Sequence, residues 1–388
     1  LEKGLIFIKP RNYDVVIVGA GAFGIWSAHK LHMAGKRVAV VDMVSPAHSL
    51  ASSGGESRVT RCGYGEDETY TEWAFRSIGD WQTLSARART PIFHQLGVLR
   101  VHTKDDELVQ ASARTFSQYD IPFTTLSASN LRSKFPVMQV RDDEAGFLEP
   151  QGGALMAKKS IQLLAADLAE AGVTFLDGLV LPVKQEQADQ RALPAVTTIC
   201  GQRLEAEQFV FACGPWLDKV CPDAMSGRLF ITRQEVFFFA IGADATGALP
   251  VWSDLPFYGF PSLEGLGFKV ANDTHGPFID PDAGDRLASS QGEAEARAFL
   301  RNRFPAFSDA PLSETRVCQY ENSSDGHFLI DRHPGLDNVL LVGCGSGHGF
   351  KHAPAVGSHV VDLVNGTMRP RAPFLLNLKK MQQDRAVL

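Results

Sequence analysis

Hydrophobic and polar positions follow two different rhythms at the start of the chain. Asp14-Val15-Val16-Ile17-Val18 is a near-continuous β-branched run, the pattern of a parallel strand buried on both faces. Gly19-Ala20-Gly21-Ala22-Phe23-Gly24 follows at once, and Ile25, Ala28, Leu31 and His32 then recur at helical spacing. Gly35 is placed to end that helix, and Val38 to Val41 forms a second apolar strand closing on Asp42. The order expected is therefore strand, glycine turn, helix, strand.

Further along, Ala51 to Gly65 is rich in Ser and Gly and reads as a loop leading into a helix near Tyr70 to Ser85. Residues from about 90 to 150 are mixed, with short strand-like pieces such as Gly97 to His102. Gly152 to Gly172 reads as a helix, with Ile161, Leu164, Ala165 and Leu168 on one face. Val173–Leu176, Leu179–Val183 and Phe209–Ala212 read as strands, and Arg228–Ile241 as a longer one. Ser289–Arg301 reads as a helix ending before Pro305. Asn338–Val342, a glycine-rich turn at Gly343–Gly349 and a helix at Ala353–Val364 repeat the α/β order near the end. Nucleotide-type pieces thus lie at both ends and around 150–215, so the fold class expected is α/β with a discontinuous Rossmann-type domain. Its expected segments are 1–85, 150–215 and 316–388, with a second domain at 86–149 and 216–315.

The composition narrows the function. With 388 residues the chain exceeds the usual size of a single core. Its 38 Lys+Arg against 44 Asp+Glu leave a charge of −6, which argues against a general nucleic-acid binder. No apolar run is long enough for a membrane span, and Leu1 to Arg11 lack a signal-peptide cleavage pattern. The six cysteines form no CxxC pair, which argues against zinc and for a reducing, cytoplasmic setting.

The chemistry is concentrated in three glycine turns. Gly19, Gly21 and Gly24 form G-x-G-x-x-G between a strand and a helix, where bare backbone admits a pyrophosphate to the helix N-terminus. Asp42, 18 residues beyond Gly24, can accept ribose hydroxyls and favours NAD or FAD over a 2′-phosphate cofactor. The second turn is Cys213-Gly214-Pro215-Trp216, after the Phe209–Ala212 strand. The third is Gly343-Cys344-Gly345-Ser346-Gly347-His348-Gly349, which can bring backbone N–H groups to a flavin ring. Three such turns in this order point to FAD.

From Tyr13 to Gly366 the chain resembles the glycine/D-amino-acid oxidase superfamily, within it the monomeric sarcosine oxidase and N-methyltryptophan oxidase group. The resemblance is carried by Gly55-Glu56-Ser57-Arg58-Val59-Thr60-Arg61, Tyr258-Gly259-Phe260-Pro261, Gly267-Phe268-Lys269, Cys318-Gln319-Tyr320 and Gly347-His348-Gly349-Phe350-Lys351. It implies an FAD domain joined to an α+β substrate domain with an antiparallel sheet. It also implies oxidation of a secondary-amine amino acid by flavin and O2, in a monomer. Cys318 matches a covalent attachment point for FAD; Arg61 and Lys351 match the two cations that hold a substrate carboxylate. Arg58 matches a cation beside the flavin, Lys269 an oxygen-activating lysine, and Tyr258 and Tyr320 aromatic pocket walls. The cofactor contacts expected are Gly19, Gly21, Gly24, Asp42, Arg58, Val183, Cys318, Gly345, Gly347, His348, Gly349 and Lys351.

Two positions depart from that pattern. Where sarcosine oxidases carry a His-His pair, this chain has Ser53 and Gly54, and where they carry a pocket His four residues past the lysine it has Asp273. A carboxylate there suits a substrate with an extra cation or hydroxyls, or takes up a proton; alternatively Asn272-Asp273 is a turn facing solvent. Rival readings are a flavin dehydrogenase with another acceptor, an NAD enzyme and a non-catalytic flavin-binding subunit.

Overall fold

The computed structural model describes residues 13–184 and 191–383; Leu1 to Arg11, and with them the leader reading, lie outside the described residues. One sheet runs in the order Leu329–His333, Leu336–Gly343, Arg203–Phe211, Tyr13–Val18, Val38–Asp42, Thr174–Asp177. All neighbours but the first pair are parallel. This is why Val15, Val16 and Ile17, and Phe209, Val210 and Phe211, are fully buried: helices or loops cover both faces. The Ala22–Met33 helix packs on one face beneath the Ala353–Val364 helix. Their approach is close, since a Cβ on Gly357 would stand 2.5 Å from the Trp26 carbonyl oxygen.

The second sheet has eight strands, in the order Leu312–Asn322, Phe230–Phe239, Phe268–Asn272, Phe257–Phe260, Val251–Asp254, Val98–Thr103, Glu144–Glu149, Thr124–Ser127. Its neighbours are antiparallel except Val251–Asp254 on Val98–Thr103. The Ser290–Arg303 helix covers one face, where Phe237, Phe239, Trp252, Phe268 and Val270 meet Ala296 and Leu300. Strand alternation sends Phe238, Lys269 and Ala271 to the opposite face, toward the first domain.

Several expected boundaries shift. Gly153–Met156 is a strand, and the helix starts only at Ala157. That strand lies between Ser57–Thr60 and Phe93–His94 in a small third sheet. Leu179–Val183 is not a strand beyond a single bridge from Val180 to Thr198. The 315/316 boundary falls inside Leu312–Asn322, a strand of the second sheet, so the chain returns to the first sheet only at Leu329. Likewise Leu217, Val220, Cys221 and Met225, beyond the expected 215/216 boundary, pack on the first sheet. Both shifts share a cause: composition does not change where the chain crosses between layers.

One buried charge network ties the Ser290–Arg303 helix to the second sheet. Arg303 donates to both Glu144 carboxylate oxygens at 2.9 and 2.8 Å, to Asp254 at 2.8 Å and to the Gln139 carbonyl at 2.6 Å. Arg303→Met leaves Glu144 buried with only Arg141 as partner, and is expected to destabilise the protein by about 3 kcal/mol. A urea midpoint indistinguishable from that of the unsubstituted chain would contradict this.

Candidate active site

A cleft runs from the first glycine turn across the strand ends to the second sheet. Its reach between the two sheets suits an elongated ligand. Gly19 has φ +106°, and a Cβ there would lie 2.3 Å from the Ala212 carbonyl oxygen. A Cβ on Gly24 would lie 1.9 Å from the Gly19 carbonyl oxygen, so Gly24 sits behind the turn and lets helix and strand close up. On the open side, a Cβ on Gly21 would meet only Ser53 Oγ, at 3.5 Å. Asp42 closes this end: its carboxylate accepts from Ala20 N at 2.6 Å and Val44 N at 3.1 Å. Cys213–Trp216, Ser52, Ser53, Arg58, Cys318–Glu321 and the glycines Gly343, Gly345, Gly347 and Gly349 carry the wall onward. The bare turns, the carboxylate at the ribose distance in sequence and the length of the cleft fit a dinucleotide such as FAD.

Four cations from three stretches gather at and behind the inner end, where Arg58 lines the cleft. Arg58 donates to the Ser52 carbonyl at 2.7 Å and the Ser57 carbonyl at 2.8 Å, and its guanidinium stands 3.5 Å from Cys318 Sγ. Lys269 is buried and donates to the same Ser57 carbonyl at 3.0 Å, with its ammonium 4.6 Å from the Phe260 ring centre. Burial, and then the Arg58 charge, push Lys269 down to about 7. Arg61 and Lys351 both lie against Tyr64: the Arg61 guanidinium carbon is 4.8 Å from its ring centre, and the Lys351 ammonium stands at its hydroxyl edge, 5.1 Å from that centre. Lys351 also donates to the Tyr64 hydroxyl at 2.6 Å and the His348 carbonyl at 3.1 Å. Burial first, and Arg61 second, hold its ammonium well below the usual lysine range.

Asp273 points inward. Tyr320 donates to its Oδ1 at 2.8 Å. Burial raises the Asp273 carboxyl, while Tyr320, Arg61 and Lys351 pull it down. A turn does form at Asn272, whose Oδ1 accepts from Thr274 N at 2.9 Å, but it does not carry Asp273 out to solvent, and the backbone N–H of Asp273 is held by the Pro256 carbonyl.

Four expected cofactor contacts do not line the cleft: Gly24 behind the first turn, Lys351 behind Tyr64, Val183 and His348. Val183 is buried beside Leu217 and Val220, tied by its N–H to the Val220 carbonyl, and Leu179 and Val180 line the cleft in its place. His348 turns its ring away from the cleft, stacks on Phe328 at 4.8 Å and bonds the Gly326 carbonyl through Nε2. The glycines beside it face the cleft because side chains of the turn alternate.

Sequence reading passed over several residues of the site. Glu321 lines the cleft wall and accepts from Ser52 Oγ at 2.7 Å. Glu149 lies behind Arg61 and accepts from Cys62 N at 2.5 Å and Gly63 N at 3.3 Å. Tyr64 and His352 form the 2.8 Å contact that backs Lys351. Proximity to the Arg61 and Lys351 motifs was the signal available for Tyr64 and His352; Glu149 had none.

A Rossmann sheet, a dinucleotide cleft and cations at its inner end define an oxidoreductase that works through a bound dinucleotide. The profile of the DAO family, FAD dependent oxidoreductases, matches residues 14–363. The chain belongs to this family of FAD-dependent oxidoreductases. It is similar to N-methyl-L-tryptophan oxidase of Yersinia pestis, 29% identical over 357 residues that cover 89% of this chain and 93% of the relative. Among solved structures, a fructosyl peptide oxidase shares the fold with a TM-score of 0.81 at 22% identity, covering 94% of this chain and 93% of that one. Glycine oxidase from Bacillus cereus shares it at 0.77 and 19% identity, covering 92% and 96%.

Proposed function

We propose that this protein is an FAD-dependent oxidase of secondary-amine amino acids, sarcosine-like, N-alkyl or cyclic, that consumes O2 and releases H2O2. The observation that carries this reading is the gathering of Arg61 and Lys351 around Tyr64, beside the Asp273–Tyr320 hydrogen bond. Two neighbouring cations suit a carboxylate: Arg grips it bidentately and Lys adds a point charge. Tyr258 and Tyr320 would wall the pocket and orient the rest of the substrate. When bound, FAD supplies the acceptor for a hydride from the carbon next to nitrogen and returns the electrons to O2. Lys269 would stabilise negative charge growing on oxygen, and Arg58 would do the same for the cofactor ring. The imine released is hydrolysed in water. The relatives named for N-methyl-L-tryptophan oxidation support an amine substrate. The six cysteines, all free, support a reducing, cytoplasmic setting, and we read the enzyme as a monomer.

The test is anaerobic titration of the yellow protein with a panel of N-methyl and cyclic amino acids. The expected result is bleaching by at least one, and recovery of colour with H2O2 on admitting air. A flavin that none of them bleaches would end the reading; bleaching without recovery in air would leave a dehydrogenase.

Cys318 is proposed to hold the FAD covalently, as a thioether to the ring methyl carbon, the two electrons released passing to O2. Its Sγ stands at the cleft wall, 3.5 Å from the Arg58 guanidinium. After acid precipitation the colour should stay with the protein, whereas Cys318→Ser should release all of it. Complete release from the unsubstituted chain would refute the link.

A further inference from the structure

We propose that Asp273 is the base that takes the proton from the substrate's ammonium group as a zwitterionic amino acid binds. The proposal rests on the oxidase reading above. Near neutral pH an amino acid carries its amine protonated, and an ammonium has no lone pair to drive hydride loss from the adjacent carbon. Binding in a buried pocket therefore requires an acceptor within the protein.

The site offers few: Lys269 is turned to the Ser57 carbonyl, and Lys351 to the Tyr64 hydroxyl and the His348 carbonyl, both as donors. Arg58 and Arg61 hold their protons throughout. Tyr258 and Tyr320 are phenols that burial keeps neutral. Glu149 has both oxygens engaged by the Cys62 and Gly63 N–H groups, and Glu321 faces Ser52 on the far wall. Asp273 has Oδ1 fixed by Tyr320, which leaves Oδ2 to accept. Alternation along Phe268–Asn272 and its continuation sets Lys269, Ala271 and Asp273 on the face turned toward the first domain.

The groups facing Asp273 make its basicity depend on the substrate. Arg61 and Lys351 act on it from the first domain, and Tyr320 and Tyr258 from neighbouring strands. His275, on its own loop, packs edge-on to Tyr320. In the free site the two cations favour the carboxylate. Burial already outweighs that influence and holds the carboxyl above its usual range, and a bound substrate carboxylate cancels the rest, so Asp273 becomes a better proton acceptor as the ammonium arrives.

The proton count closes. One N–H bond breaks and one O–H bond forms on Asp273, leaving a neutral amine. Oxidation removes a hydride from carbon to give the iminium. Formation of H2O2 from O2 consumes that hydride and one proton, the one stored on Asp273.

The experiment compares the unsubstituted enzyme with Asp273→Asn in anaerobic stopped flow, reading the second-order rate constant of flavin reduction between about pH 7 and 9. The unsubstituted enzyme should be nearly flat. Asp273→Asn accepts no proton, so it should use only free-base amine and gain about tenfold per pH unit. Asp273→Glu should restore the flat profile. A substrate analogue with a thioether in place of the amine reports the carboxylate site, and should bind the Asn variant at least as tightly as the unsubstituted enzyme, since a charge competing for Arg61 and Lys351 is gone. Parallel profiles overturn the proposal, as does an Asn variant that binds the analogue yet stays unreactive at every pH. Failure of the oxidase reading looks different: the unsubstituted flavin is then not reduced at all.

Discussion

Lys269→Met should slow the reaction of the reduced enzyme with O2 by about 100-fold or more, while anaerobic reduction by substrate changes only a few-fold. The reason is the position of the charge. Lys269 is buried, it bonds no carboxylate, and its donors go to the Ser57 carbonyl and hydroxyl. An ammonium in so dry a place acts strongly on any anion formed next to it, and superoxide is such an anion. Methionine keeps the shape and removes the charge. Without cofactor, burial and Arg58 bring Lys269 down to about 7, so the ammonium is present below that pH and lost above it. Oxygen reactivity should therefore fall as pH rises, and a bound anionic ring moves the fall upward. Equal slowing of both half-reactions in stopped flow would sink the role.

Lys351→Met should weaken substrate binding by about 30-fold or more, equivalent to at least about 2 kcal/mol, and change the limiting rate of reduction much less. Lys351 is held from behind by the Tyr64 hydroxyl and the His348 carbonyl, so its ammonium is already oriented when a carboxylate enters. The Tyr64 hydroxyl accepts from Lys351 and passes its own proton toward His352 Nε2, at 2.8 Å. Burial keeps His352 neutral and so able to accept it. The uncancelled charge of Arg61 disfavours the Lys351 ammonium in the empty site, and an arriving anion relieves both. Titration with an unreactive carboxylate analogue separates the two effects. A lost limiting rate with unchanged affinity would move Lys351 from binding to chemistry.

Nearly all of the first sheet was readable locally. Val15 to Val18, Val38 to Val41 and Phe209 to Phe211 are apolar on every position because both faces are covered, and Gly19 and Gly24 are fixed by backbone contacts that admit no side chain. The Ala353–Val364 helix has the ends expected from its pattern. The errors fall where burial pattern and partner come apart. Gly153–Met156 is apolar enough to open a helix but pairs with Ser57–Thr60, and that pairing helps set Ser57 and Arg58 under Lys269. Val183 has the residue type of a cleft wall but packs with Leu217.

Local order therefore specified the elements of the dinucleotide half, since strand, turn and helix there are consecutive, while the pairing of Tyr13–Val18 with Arg203–Phe211 is long-range. Convergence was decided only by the folded chain. Arg61, Asp273, Tyr320 and Lys351 come from four distant stretches, and their approach depends on how the eight-stranded sheet docks on the first domain. The inward turn of Asp273 is of the same kind. As a peptide, Asn272-Asp273 would form a solvated turn; the Tyr320 hydroxyl and the Pro256 carbonyl supply the partners that make a buried carboxylate tolerable. No local pattern records those partners, because a hydrogen bond across 47 residues is a property of the packing.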